Sequence, residues 1–260
     1  MVIEGKLNLR GGIILSRVNI YLSPSKQPHN GYAGMNTNEE KEMVVVCQII
    51  AKVLKTEYDC SVSLSTLSLG IGSKERPKEA KELGASLYLA IHSNAGGAGK
   101  ASGAVALYHP KSSESKKLGE ILVDELNKIA PIKSNRSESL VNGMAAFQGR
   151  GFGEIRVPYE NKMTPLLMET NFHDHLVLAK WITTHHEEIA RAYVKGLVAF
   201  YNIPKKQVSS LEQSMDKPVD KEEGDKLYRV QVGAFRKKEN AEILMARLFN
   251  EGFEGFMIYR

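Results

Sequence analysis

AIHSNA, residues 90–95, sets a histidine directly behind a short apolar run, LYLAI (Leu87 to Ile91), and ahead of a Gly/Ala-rich loop, NAGGAGKASG. A buried strand that ends in a histidine and opens into a loop presents a ligand at the rim of an α/β sheet. Three further residues of matching chemistry stand at comparable points. His29 lies in the loop after an earlier apolar run, Glu40 at the start of the helix that follows, and Glu169 near the end of TPLLMET. Two imidazoles and two carboxylates are the donor types of a zinc hydrolase. Such sites use three protein ligands and keep a fourth position for water, whose pKa the metal brings down to about 7. A carboxylate beside that water takes and returns the proton. Neither H-x-x-x-H nor H-E-x-x-H occurs, so the ligands must come from separate elements.

Those elements can be read from periodicity and punctuation. VNIYL (Val18 to Leu22) is the first expected strand, followed by a loop, SPSKQPHNGYAGMNTN, broken by Pro and Gly. EKEMVVVCQIIAKVL (Glu40 to Leu54) is apolar on nearly every side after its first turn, which marks a buried helix capped by Thr37 or Asn38. Strands are expected at Ser61 to Thr66, Leu87 to Ile91, Gly103 to His109 and Thr164 to Thr170. Helices are expected around RPKEAKELG, with Gly84 as the stop, and at Ser112 to Ile129, Leu176 to Trp181 and His185 to Tyr201. Gly143 to Pro158, rich in Gly, reads as strand and loop. Alternating strands and helices imply an α/β domain with a mostly parallel central sheet flanked by helices. In such sheets sites form at the carboxyl ends of strands, so His29, Glu40, His92 and Glu169 can converge on one rim.

With 260 residues the chain can hold one large domain and a small one. Its 42% hydrophobic and 25% charged content is that of a soluble globular protein, and the net charge of +5 favours a polyanionic partner. Nucleic acid is set aside, because no groove-reading helix, zinc finger or stacking platform is seen. No apolar run approaches the roughly 18 residues of a membrane span. The N-terminus lacks the pattern of a secretory signal, so synthesis in the cytoplasm is expected. Cys47 and Cys60 read as buried free thiols. His109, His185 and His186 are expected at the surface, His173 and His175 in loop roles, and Arg76 in a structural one. Residues 17–203 form the expected main domain. Residues 204–226, charged and with two prolines, read as a linker, and 227–260 as a small βαβ module.

IYLSPSKQPHN, NEEKEM, IHSNA and LLMETNFHDH, taken together, resemble the zinc-dependent N-acetylmuramoyl-L-alanine amidases, often called the Amidase_3 family, over roughly residues 17–203. IHSNA is close to the family's S-I-H-x-N-A, and METNF to its E-x-G-F. The resemblance implies cleavage of the amide between the lactyl group of N-acetylmuramic acid and L-alanine in peptidoglycan. It implies one zinc ion held by His29, Glu40 and His92, with Glu39 competing for the place of Glu40, and Glu169 as general base and later acid. Asn94 is expected to orient the loop that carries His92 and to lie by the substrate. Two departures stand out: the family's D-P-G-H-G-G is SPSKQPHN here, with its histidine about three residues later, and Asn171 replaces the glycine of E-x-G-F.

YRVQVGAFRKKENAEILMARL resembles the first half of a SPOR domain, a module that binds peptidoglycan glycan strands. Gln231 is the implied glycan contact. A half-module implies either a shortened domain or a dimer in which two chains complete one unit. The functional expectation is a peptidoglycan amidase acting on the wall after lysis or release, as a phage endolysin or a sporulation autolysin. The alternatives are a zinc peptidase cutting elsewhere in the stem peptide and a wall-binding protein with a dead site.

Overall fold

Near-continuous apolar runs in the central strands bury both faces of a six-stranded sheet in the computed structural model. The structure describes residues 18–65, 75–96, 98–206, 231–250 and 257–258. In chain order, β1 is Asn19–Pro24, α1 Glu39–Glu57, β2 Ser61–Leu64, α2 Arg76–Glu82, β3 Leu87–Asn94 and β4 Val105–Tyr108. Then follow α3 Ser113–Ile129, β5 Leu140–Asn142, α4 Gly153–Glu160, β6 Thr164–Phe172, α5 Leu176–Thr184, α6 His186–Tyr201 and α7 Lys238–Asn250. The strand order is β2-β1-β3-β6-β4-β5. All neighbours are parallel except β4 and β6, so the expected mostly parallel α/β sheet is met.

Successive strand residues face opposite layers. Ile20, Leu22, Leu87, Leu89, Ile91, Leu166 and Met168 pack into the larger core beneath α1, α3, α5 and α6. Tyr21, Tyr88, Ala90 and Leu167 face the smaller core, where Ala80 of α2 and Ile155 of α4 cover them. Burying each Leu or Ile contributes about 1.5–3 kcal/mol. The same alternation sends His92 and Glu169, two residues beyond Ala90 and Leu167, toward the α4 layer.

β5 has no counterpart in the sequence expectation, several strand ends shift by a few residues, and further departures shape the site. α1 begins at Glu39, with Asn38 as its cap accepting from the Lys41 amide. The Gly-rich stretch after Gly143 holds a helix, α4, rather than only strand and loop. β3 runs past Ile91 to Asn94 through a bulge that follows His92. α2 ends as expected at Gly84, whose φ of +69° favours glycine. His109, expected at the surface, is buried with its ring stacked on Tyr159 at 3.6 Å. His186, expected to be solvated, bonds Glu42 across α1 and α6. Cys47 and Cys60 are buried and unbridged. Among the described residues no helix is long and apolar enough to cross a membrane. The expected linker beyond Lys206 and, within the expected βαβ module, residues 227–230, 251–256 and 259–260 lie outside the described residues. Residues 231–235 are not strand.

Candidate active site

Strand pairing fixes the first two members of the site. β3 and β6 are parallel neighbours, and His92 is the register partner of Glu169. In a parallel pair, partnered side chains share a face. His92 is buried, and each of its ring nitrogens meets a carboxylate. Nδ1 lies 2.9 Å from Glu39 Oε1, and Nε2 lies 3.0 Å from Glu154 Oε2.

Glu39 is placed by the start of α1. With 3.6 residues per turn, Glu39, Glu42 and Met43 share the inward face, and Glu40 is rotated about 100° away from it. Glu39 is 1% exposed, whereas Glu40 is half-buried and takes no part in the His92 network. Asn30 Nδ2 and the Ser93 amide also donate to Glu39.

Glu154 comes from the first turn of α4, where a carboxylate suits the helix dipole. Its Oε1 accepts from Ser23 Oγ at 2.7 Å and from the Tyr88 hydroxyl at 2.9 Å. Ser23 in turn accepts from the buried Arg76 guanidinium, which also donates to the Pro24 carbonyl. Arg76 therefore holds the end of β1, the structural role expected of it. Sequence reading missed Glu154 because glycines obscured its helix. The apolar Phe152 and Ile155 on either side of it were the available signal.

Burial opposes charge on His92, yet hydrogen bonds to Glu154 and Glu39, and the charge of Glu169, carry its pKa up to about 10. Burial also opposes charge on Glu39 and Glu154, but the bond to His92 outweighs it and holds both below the usual carboxylate range. Glu169 is pushed up to about 7, first by burial; the pull of His92 is opposed by repulsion from Glu39 and Glu154. Its Oε2 is buried and has no hydrogen-bond partner among the described residues.

His29 stands apart from this cluster. Gln27-Pro28-His29-Asn30 forms a turn closed by the Asn30 amide on the Gln27 carbonyl, with Pro28 in the second position that favours its fixed φ. The turn brings Gln27 and Asn30 side by side, Asn30 Nδ2 donating to Gln27 Oε1, and leaves His29 exposed to solvent. Asn94 directs its side chain to the Ala95 amide and its carbonyl to the His173 amide, so it shapes the loop after His92. His173 is buried, stacked on Tyr32 and bonded to Ser93 Oγ. Gln231 is exposed, its amide directed at the Gly233 carbonyl.

Above His92, Glu154 and Glu169 opens a cleft of about 670 Å³. Lys26, Gln27, Phe147, Arg150, Phe152 and Arg156 line its mouth. Among the described residues no three His, Cys, Asp or Glu side chains are arranged to hold a metal ion. The donor chemistry nevertheless fits a divalent cation. Three carboxylates gather around one imidazole, one of them with an orphaned buried oxygen. Loss of the Nδ1 proton to a cation would leave that nitrogen and Glu39 as neighbouring donors, with Glu154 accepting Nε2–H, and a carboxylate behind a ligating imidazole is a common support.

A family model described as N-acetylmuramoyl-L-alanine amidase matches residues 22–199, and a SPOR domain model matches residues 205–259, a range that takes in the charged segment expected as a linker. The chain is 26% identical over 249 residues to the N-acetylmuramoyl-L-alanine amidase CwlM of Bacillus licheniformis, covering 94% of this chain and 85% of that protein. It is 26% identical over 248 residues to the sporulation-specific N-acetylmuramoyl-L-alanine amidase of Bacillus subtilis (strain 168), with the same coverage. The crystal structure of an N-acetylmuramoyl-L-alanine amidase from Clostridium difficile 630 superposes with a TM-score of 0.60 at 18% identity, covering 72% of this chain and 97% of that one. The catalytic domain of CwlV from Bacillus (Paenibacillus) polymyxa gives 0.57 at 16%, covering 72% and 99%. The family match spans the sheet, its helices and the cluster around His92, and the chain belongs to the N-acetylmuramoyl-L-alanine amidase family, with a SPOR domain behind the catalytic fold.

Proposed function

We propose that this chain is a zinc-dependent amidase that cleaves the bond between the lactyl carbonyl of N-acetylmuramic acid and the amine of L-alanine in peptidoglycan. One observation carries the reading: His92 sits between Glu39 and Glu154 at the carboxyl end of β3, with Glu169 in register on the next strand. Zinc held by His92 and Glu39 would supply a water acidic enough to ionise near neutral pH and would polarise the scissile carbonyl. Glu154 fixes the imidazole by accepting its Nε2–H, and Ser23 and Tyr88 hold Glu154 in turn. Glu169, with its free buried oxygen, takes the proton of the attacking water and returns it to the leaving amine of L-alanine. Its pKa of about 7 suits both roles at neutral pH.

The cleft can enclose the lactyl-alanine linkage and part of the stem peptide. Its mouth carries Lys26 and Arg150, neither in an ion pair among the described residues, beside Phe147. These groups suit the carboxylates of a stem peptide and the apolar face of a sugar. The SPOR match supports recruitment to glycan strands, with Gln231 exposed for that contact. The resemblance to a sporulation-specific amidase supports a lytic role released when the producing cell breaks down. Nothing observed supports dimerisation through the SPOR segment.

Digestion of purified wall followed by mass spectrometry tests the proposal. Muramic acid with a free lactyl carboxylate together with new L-alanine amines is expected. New amines at other residues of the stem peptide would overturn the amidase assignment, and an unchanged wall would mark a binding protein without activity.

A further inference from the structure

The loop between β5 and α4 holds a backbone strain that its packing does not explain. Phe147 and Gln148 have φ of +53° and +58°, followed by Gly149 at +84°. Non-glycine side chains rarely enter this left-handed region, and two in succession are rarer still. The chain is held there by its own backbone. The Phe152 amide donates to the Gly143 carbonyl, the Gly151 amide to that of Ala146 and the Arg150 amide to that of Phe147. Gly151 lies so close to Met144 that a Cβ would come within 2.6 Å of its Sδ. None of this buries Phe147, which stays 58% exposed. Strain kept where no core benefits from it points to function.

What the loop presents is a cation on an aromatic ledge. Phe152 meets the Phe147 ring edge-on at 5.1 Å, and the Arg150 guanidinium lies over the same ring at 5.9 Å. Phe147 and Arg150 border the cleft that holds Glu154 and Glu169, and with Gln148 they also border a second hollow of about 510 Å³. Arg150 therefore stands where the cleft passes outward. It is exposed and has no ion pair among the described residues, whereas Arg156 of the same cleft is bonded to Glu160 at 3.0 Å. Glu154 and Glu169 give the floor the opposite sign. An anionic group of a ligand is repelled from that floor and drawn to the mouth. A planar guanidinium matches a carboxylate with two parallel hydrogen bonds.

The proposed reaction decides which carboxylate this is. Beyond the scissile amide come L-alanine and then D-glutamate joined through its side-chain carboxyl, which leaves the α-carboxyl free or, in some walls, amidated. It is the first anionic group on the peptide side of the bond. We propose that Arg150, held over Phe147 by the strained loop, binds this α-carboxylate and makes the protein selective for stem peptides in which it is not amidated. This inference rests on the amidase reading of the proposed function. Lys26, on the loop after β1, adds attraction without the fork geometry.

Soluble glycan fragments of two kinds test it, one with free D-glutamate α-carboxyls in its stem peptides and one amidated at that position alone. Release of L-alanine amines by the full chain is followed for wild type, Arg150→Gln, Arg150→Lys and Lys26→Gln, with circular dichroism to confirm folding. Wild type is expected to favour the acid form by about tenfold in kcat/KM, chiefly through KM, as befits a charge-assisted pair at a hydrated mouth. Arg150→Gln should bring the ratio close to one, Arg150→Lys should restore part of it, and Lys26→Gln should keep most of it. Added salt should narrow the wild-type preference. A wild type that does not favour the acid form, or a preference that survives Arg150→Gln, overturns the proposal and leaves the amidase reading intact. So does a preference lost in Lys26→Gln alone. If wild type releases no L-alanine amines from either form, the amidase reading falls and this inference with it.

Discussion

The β3–β6 corner and the β1–α1 loop build the same site by different means. In the corner, His92 and Glu169 are register partners on adjacent parallel strands, and ladder geometry fixes their side chains to a common face. In the loop, a four-residue turn and a helix cap decide which side chain points inward, and single-residue shifts change the answer. The corner tolerates an error of a residue or two in an expected boundary, because a strand end remains a strand end. The loop does not: moving the helix start from Glu40 to Glu39 exchanges a half-buried carboxylate for a buried one bonded to His92.

Substitution at the corner is expected to have the largest effect. Glu169→Ala should lower wall hydrolysis by about 10²–10⁴-fold, the usual contribution of a positioned general acid–base, while leaving metal content unchanged. A dye-release assay beside metal analysis measures both. Retained activity would remove Glu169 from the chemistry and leave the corner with only a ligand.

The loop is sharpened by a paired comparison. Glu39→Gln should lower hydrolysis by about a hundredfold or more, and Glu40→Gln should stay within about twofold, since only Glu39 touches His92. Equal effects would mean that α1 begins one residue later, at Glu40.

The acidity of Glu169 gives a further test of the corner through stability. Its folded pKa of about 7 lies above the ordinary value of 4.5. Below pH 4.5 the carboxyl is protonated in both folded and unfolded chains and contributes no difference. As pH rises toward 7 the unfolded chain ionises first, so stability falls, and above 7 the loss is complete. Glu169→Gln should therefore stabilise the metal-free protein by up to about 3 kcal/mol at pH 8 and by almost nothing at pH 4, taking about 1.4 kcal/mol per tenfold change in the proton equilibrium. Urea denaturation at the two pH values measures this; an equal gain at both would separate the effect from ionisation.

Removing the cap is the mildest perturbation of the loop. Asn38→Ala should cost about 1 kcal/mol, because the Lys41 amide loses its acceptor. Chemical denaturation measures the loss. A larger drop in metal affinity than in stability would show that the cap also sets the position of Glu39.

Much of the fold was legible because strands and helices declare themselves through local periodicity. LYLAI and TPLLMET are short continuous apolar runs, and a strand covered by helices on both faces must look like that. Glu154 was not legible: glycines and Pro158 around it suggest loop, and α4 forms because Ile155 and Pro158 are buried against the sheet. The outward placement of His29 was hidden for another reason. Residue type drew the donor role to it, while the turn that leaves it in solvent depends on Asn30 reaching both Gln27 and Glu39.

The sequence by itself determined most of the strands and helices, the α/β class, and the placing of His92 and Glu169 near the carboxyl ends of two strands, because each follows from hydrophobic pattern over a few neighbouring residues. Tertiary structure alone decided that those strands are adjacent, that Glu39 rather than Glu40 meets His92, that α4 sends Glu154 to the far side of the imidazole, and that His29 faces water. These depend on strand order, on the rotation of one helix and on the geometry of one turn, and none of the three is recorded in the spacing of residues along the chain.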